Sequence, residues 1–453
     1  MKKKLWRTIA PLALVALAGA GLAGCSGSDN GGSGGKVTIT VGNEPTSDQT
    51  AALKVYKKRV ADFEKANPNI KVNTTTTSYD AQTFQALVAS GKMPDVISVP
   101  FTDIQSLIAR GQVADITSEI KADPQASKVN PTVAKVAQAG GKTYGAAIGA
   151  YTMALIYNRA LFTKAGLDPD KPPTSWEEVR ADAKTITQKT GAQGYAAMTT
   201  NNTGGWSLTA LSYAFGHTIE SQDGKKATID NSATKNALKL YQQMRWDDNS
   251  FGSNFLLNQD DVFKQMAAGT VGMMVNGSDG YNFAVTNDGM KKDDFGLAPL
   301  PQENAGLGTL GGGSIAIFKP KATQAQISAG LKYVDWIYYR QYFNEATAIT
   351  TAKAAAADGS AVGAPGLQLF DNATNDRYLG WVKDEINVPR DNYKAYLAST
   401  TTLPLVPEPM TQAQQVYGIL DNVVQAVLTN KGTDIDSLLQ NTQTQVQSAI
   451  AAG

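Results

Sequence analysis

Val37-Thr38-Ile39-Thr40-Val41, Ile70-Lys71-Val72-Asn73-Thr74 and Asp95-Val96-Ile97-Ser98-Val99 are the three stretches from which the fold is read. In the first two, apolar and polar residues alternate with the period of a half-buried strand, and the third reads as a buried one. Two helical patterns separate them. Leu53, Tyr56, Val60 and Phe63 share one face and stop at Asn67-Pro68-Asn69, while Phe84, Leu87 and Val88 precede a stop at Gly91. Strand, helix, strand, helix, strand predicts a parallel sheet covered by helices. In such sheets ligands gather at loops leaving the carboxyl ends of strands, here residues 42–48 and 100–103.

Upstream, Lys2, Lys3, Lys4 and Arg7 precede an apolar run over residues 9–17, and small residues lead to Leu22-Ala23-Gly24-Cys25. The run is too short for a membrane span and reads as a secretory leader over residues 1–24. Residues 26–35 are only Gly, Ser, Asp and Asn, which predicts a flexible tether after Cys25.

The chain has 453 residues, and the 429 beyond the leader suffice for two domains. Four of its 41 basic residues lie in the leader, so 37 remain against 40 acidic ones, a balance of −3. A near-neutral surface without basic clusters offers no electrostatic case for nucleic acid. Cys25 is the only cysteine and His217 the only histidine. That excludes an internal disulfide, a Cys/His zinc site, a Cys–His nucleophile and a His-based metalloprotease. No metal or cofactor is expected.

Further along, residues 145–158 are long for one strand and suit a connection between domains. Ser175-Trp176-Glu177-Glu178 has the spacing of a capping box. Helices are expected over 233–246, around Leu331 to Ile337, around Tyr417 to Val427 and near 438–450. Trp176 and Trp336 fall in such patterns and read as core. A strand at 315–318 follows Gly311-Gly312-Gly313, read as a tight turn whose amides approach a ligand or a hinge. Residues 351–360 show no pattern and are expected to be irregular.

Phe63-Glu-Lys-Ala-Asn-Pro-Asn-Ile-Lys-Val72, followed by Met93-Pro94-Asp95-Val96, resembles the opening of the family-1 extracellular solute-binding proteins. These are carbohydrate receptors of ABC importers, relatives of the maltose-binding protein. The resemblance continues through Ile156-Tyr-Asn-Arg-Ala-Leu-Phe-Thr-Lys-Ala-Gly-Leu-Asp168, Lys171-Pro-Pro-Thr-Ser-Trp-Glu-Glu178, Leu297-Ala-Pro-Leu-Pro301 and Gly311-Gly-Gly-Ser-Ile-Ala-Ile317. It implies an α/β, two-lobe periplasmic-binding-protein-like fold (type II), with a ligand cleft between lobes joined by hinge segments near 144–151, 297–301 and 338–350. Lobe 1 would hold residues 36–148 and 301–342, and lobe 2 residues 149–300 and 343–453. The function implied is a non-enzymatic, monomeric receptor that closes on a sugar, an oligosaccharide above all, and delivers it to permease subunits. A polyol, a glycerophosphate-like anion or a peptide is the alternative solute, and an exported glycosidase using a carboxylate pair is the alternative class. Leu22-Ala23-Gly24-Cys25 in turn resembles a lipobox. It implies cleavage before Cys25, acylation there, and a lipid anchor on the outer face of the bacterial cytoplasmic membrane. A cleaved leader with a cysteine nearby by chance is the alternative.

A sugar shows hydroxyls around its edge and an apolar C–H face, so its site needs flat aromatics with carboxylates or amides beside them. An aromatic side chain buries roughly 150–250 Å², and a hydrogen bond to a charged group contributes about 1.5–3 kcal/mol. The candidates bordering the cleft are Asn43, Glu44, Phe101, Asp103, Tyr151, Trp206, Asp279 and Tyr281, with the backbone of Gly312 and Gly313. The resemblance supports Tyr151, seven residues before Asn158, and Trp206. Other readings stay open: Asp103 as a helix cap, Glu44 as a solvated charge, Trp206 as core. The family often shows Gly-x-Trp after Met273-Met274, where this chain has Gly277-Ser278-Asp279 and its nearest ring is Tyr281.

Overall fold

In the computed structural model, which describes residues 36–80, 83–303, 306–400 and 402–452, the three opening stretches are strands. They are β1 (Val37–Val41), β2 (Ile70–Thr74) and β3 (Val96–Pro100). β1 pairs in parallel with β2 from Val37↔Ile70 to Val41↔Thr74, and with β3 at Val41↔Val96. The helix Thr50–Ala66 buries Val60 and Phe63 as its periodicity predicts, and Phe63 meets Tyr333 edge-on at 5.6 Å. A small hairpin, β4 (Gln138–Ala139) and β5 (Lys142–Thr143), turns through Gly140 and Gly141, both at positive φ. The leader, the tether and Cys25 lie outside the described residues.

The remaining strands are β6 (Gly145–Asn158), β7 (Gln193–Tyr195), β8 (Val271–Gly277), β9 (Phe295–Pro299), β10 (Thr309–Phe318) and β11 (Leu405–Pro407). They complete a sheet in the order β2-β1-β3-β10-β6-β8-β7, with β9 also on β6 and β11 also on β10. β6 is the long member. Its first half pairs antiparallel with β10 and its second with β8 and β9.

Hydrophobic contacts divide along these same two strands. Ala146, Ala147 and Ile315 belong to a core with Ile39, Phe63, Ile97 and Val334. Met153, Leu155 and Leu310 belong to another with Trp176, Leu211, Tyr241 and Val427. Ala154 and Ile156 face a third group around Phe263, Met274 and Tyr393. β6 and β10 thus run continuously from one α/β lobe into the other. Core membership changes between Ala147 and Met153 and between Leu310 and Ile315, while Leu369 and Phe370 still pack in the first core.

Three local expectations are corrected. Gly311-Gly312-Gly313 is no turn: all three are strand residues of β10, paired with Thr152, Tyr151 and Ala150. Most of 351–360 is helical, because Glu345–Ala357 forms a helix begun by the Asn344 side chain, which accepts from the Thr347 N–H at 2.9 Å. Its apolar residues are mostly alanines, which carry helix propensity without a periodic stripe. At Ser175 the cap forms, with Oγ accepting from the Glu178 N–H at 3.1 Å, but the Glu178 carboxylate reaches back to the Thr174 N–H at 2.7 Å.

Candidate ligand-binding cleft

The strands shared by the two lobes carry the convergence point. Tyr151 on β6 stands opposite Gly312 on β10, and Ala150 opposite Gly313. A Cβ on Gly312 would lie 2.2 Å from Tyr151 Oη and 2.9 Å from Glu408 Oε2. One on Gly313 would lie 2.2 Å from the Gly149 carbonyl and 2.9 Å from Phe101 Cζ. The glycines are therefore room: a bare stretch of strand lets Tyr151, Phe101 and Glu408 close over it.

Tyr151 meets Trp206 edge to face, with ring centroids 5.8 Å apart at 85°. Trp206 rides on the helix Thr203–Ala214, whose start is fixed from elsewhere. Asp421, on the helix Ala413–Thr429, accepts from the Asn202 N–H at 2.7 Å and the Gly205 N–H at 2.8 Å. These amides have no intrahelical partner, so a carboxylate there does the work of a cap. A Cβ on Gly205 would stand 2.1 Å from the Tyr417 carbonyl, so the two helices touch backbone to backbone.

Two carboxylates, Glu408 and Asp279, stand beside the ring pair, and the charge of a third, Asp103, is felt at Glu408. Glu408 follows β11 directly and is 7% exposed. Tyr417 Oη donates to its Oε1 at 3.4 Å. The Trp206 indole N–H lies beside it without completing a hydrogen bond of ordinary geometry. Burial raises the Glu408 pKa to about 8, against the pull of Tyr417 and Trp206, and the Asp103 charge adds to the rise. Asp103 is raised mainly by burial, opposed by the Thr102 and Tyr79 hydroxyls and by Arg110; Thr102 Oγ1 donates to it at 2.8 Å. It does not cap its helix, Phe101–Ala109, whose N-cap position is Pro100 without a side-chain bond. Asp279 is solvent-exposed beside Tyr151, yet the surrounding protein desolvates it enough to raise its pKa too. Tyr151 is pushed well above 10 by burial, then by the charges of Glu408 and Asp279.

The structure thus brings together Phe101, Asp103, Tyr151, Trp206, Asp279, Gly312 and Gly313. It leaves three candidates apart. Asn43, at φ 62°, spends Oδ1 on the Ser98 N–H at 2.9 Å. Glu44 pairs with Lys57 at 3.6 Å, and its charge bears on Tyr56 and Tyr333. Tyr281 is 3% exposed, edge-on to Phe295 and Tyr393, and is a core residue. Glu408 was not among the candidates. Its one sequence signal is a carboxylate held between Pro407 and Pro409, where neither a helix nor a central strand can claim it.

A cavity of about 420 Å³ lies on the opposite face of the same strands, lined by Thr152, Leu300, Thr309, Tyr396 and Leu405 among others. Thr152 and Tyr151 point to opposite faces because they are successive strand residues. The cavity's strand hydroxyls are already engaged: Thr152 with Tyr396 at 2.8 Å, and Thr309 donating to the Met153 carbonyl at 2.6 Å. The ring pair and its carboxylates offer the better-equipped face. Among the described residues, no group of three or more His, Cys, Asp or Glu is placed to hold a metal, and no helix is long and apolar enough to cross a membrane.

Two α/β lobes sharing two strands, with aromatic rings and carboxylates collected where the lobes meet, define a type II periplasmic solute-binding fold. The cyclic α-maltosyl-1,6-maltose binding protein of Arthrobacter globiformis superposes with a TM-score of 0.71 over 92% of this chain and 100% of its own, at 20% identity. The chain belongs to the bacterial extracellular solute-binding protein family, matched over residues 46–340. It spans about half, 52%, of the length of the first curated relatives it matches. It is 28% identical over 143 residues to the sn-glycerol-3-phosphate-binding periplasmic protein of Yersinia pestis, covering 30% of this chain and 33% of that one. It is 24% identical over 420 residues to the multiple sugar-binding protein of Streptococcus mutans, covering 86% and 93%.

Proposed function

We propose that this protein is the membrane-anchored receptor of an ABC importer, closing its lobes on a sugar and presenting it to the permease. The observation that carries this reading is the Tyr151–Trp206 pair, Tyr151 standing on a strand common to both lobes, with Glu408 and Asp279 beside it and the Asp103 charge felt at Glu408. Rings cover the C–H face of a sugar, and carboxylates accept from its hydroxyls. A ligand gripped from both lobes favours the closed form by its differential affinity for it, which is what a permease can sense. Two plates and a few charged hydrogen bonds, less the ordering cost, reach the roughly 8 kcal/mol of a micromolar receptor. The relative that binds many sugars is matched over most of its length, whereas the one that binds glycerol phosphate is matched over a third.

In this reading β6 and β10 are the hinge and the protein binds without turnover. Cys25 carries the lipid that holds the protein on the outer face of the cytoplasmic membrane. A thermal-shift and tryptophan-fluorescence screen against mono-, di- and oligosaccharides tests it. A response to sugars that Trp206→Ala abolishes supports the reading. Silence to sugars with a response to phosphates or peptides, or accumulation of hydrolysed sugar, overturns it. Release of the protein from membranes by Cys25→Ala tests the anchor separately.

A further inference from the structure

Among the described residues, Glu408 and Asp279 are carboxylates with no cation at ion-pair distance. Among the described residues Glu408 has the Tyr417 hydroxyl at 3.4 Å on Oε1 and the Trp206 indole N–H nearby, but no completed hydrogen bond on Oε2, although only 7% of the residue is exposed. Oε2 and Tyr151 Oη lie 2.9 and 2.2 Å from one point, the place a Gly312 Cβ would take, so Oε2 is aimed at the hydroxyl end of the Tyr151 ring. Asp279 Oδ1 and Tyr151 Cδ2 lie 2.5 and 3.5 Å from the Cβ position of Gly277, which sets Asp279 at the edge of the same ring. Among the described residues no ion pair reaches either carboxylate.

We propose that Glu408 and Asp279 select a solute bearing an ammonium group, a cationic amino sugar, and that Glu408 is the specificity-determining residue. The proposal rests on the sugar-receptor reading and narrows it. A neutral sugar donates hydroxyl hydrogens but offers neither Glu408 nor Asp279 a counter-charge as the cleft closes and dries, so Glu408 keeps its proton there. A phosphate ester brings charge of the same sign as the carboxylates. An ammonium group supplies the opposite charge together with three donors, and the faces of Tyr151 and Trp206 attract a cation that stands over them. Burial, which raises the pKa of both carboxylates, marks the same unmet need.

The test is calorimetric titration of the whole chain, in mild detergent at neutral pH, with diglucosamine and with cellobiose. These β-1,4-linked disaccharides differ in carrying amino groups or hydroxyls at the same carbons. Roughly tenfold or tighter binding of diglucosamine is expected, and Glu408→Gln and Asp279→Asn should each erase most of that preference. Unliganded melting curves of the variants report whether they fold. Equal or tighter binding of cellobiose, or a preference untouched by both variants, overturns the proposal. Binding of neutral oligosaccharides alone overturns it while leaving the receptor reading in place. Binding of neither class by folded protein overturns both.

Discussion

At Gly312 the missing side chain is as informative as any present one. A methyl group there would meet Tyr151 Oη at 2.2 Å, inside any permissible contact. Gly312→Ala is expected to displace the Tyr151 ring, to destabilise the protein by about 1–3 kcal/mol of overpacking, and to weaken sugar binding at least tenfold by calorimetry. Tyr281→Phe provides the contrast. Its ring packs against Phe295 and Tyr393, so affinity should stay within about twofold, as expected for a substitution remote from a binding hot spot. Loops bordering the expected cleft pointed to Phe101, Asp103 and Asp279 in the sequence, and the family resemblance supported Tyr151 and Trp206. Glu408 was not legible there, because a carboxylate between two prolines has no period to read. Its role exists only because β11 docks beside β10.

Among the elements, the helix Thr203–Ala214 depends on a residue more than two hundred positions away. Asp421 accepts from the Asn202 and Gly205 N–H groups, and removing it strands both donors. Asp421→Ala is expected to cost about 1–3 kcal/mol, since an unpaired buried donor forfeits its solvation. It should also weaken ligand binding by loosening Trp206; Asp421→Asn, which keeps an acceptor, should lose less of both, as melting and titration together will show. Element scale is also where two sequence expectations failed. A run of three glycines resembles a turn in isolation, yet here β6 pairs it into an extended strand. The alanine-rich helix Glu345–Ala357 lacks an apolar stripe, so periodicity was silent where propensity should have been heard.

For the molecule as a whole, buried carboxylates set an acid-leaning stability. Burial raises Glu220 to about 7 and Glu408 to about 8, from 4.5, and raises Asp335 from 3.8 to about 9 with the help of Asp123. In the folded state each keeps its proton over a range where the unfolded chain has lost it. The stability they contribute is therefore full below the unfolded values and is lost as pH rises through the folded ones. Tm should fall by several degrees between about pH 5 and pH 8, and Glu408→Gln should flatten that fall. Asp115, lowered to about 2 by Thr117 and Lys142, acts in the opposite sense, losing its contribution only in acid. At saturating sugar the whole curve should rise, by about 2.7 kcal/mol at one hundred times Kd.

The sequence by itself determined the class: alternating strands, one-faced helices and ordered motifs are local patterns, and local patterns survive being read one residue after another. It likewise excluded an internal disulfide, a Cys/His zinc site and a His-based metalloprotease, because composition is independent of folding. Only the tertiary structure decided which candidates meet. Tyr151, Trp206, Asp279 and Glu408 come from four separate stretches of the chain, and their distances depend on strand pairing and helix contact across hundreds of residues. It also decided that the three glycines are room for side chains rather than a bend, since a strand's partner, not its own residues, supplies the bonds that keep it straight.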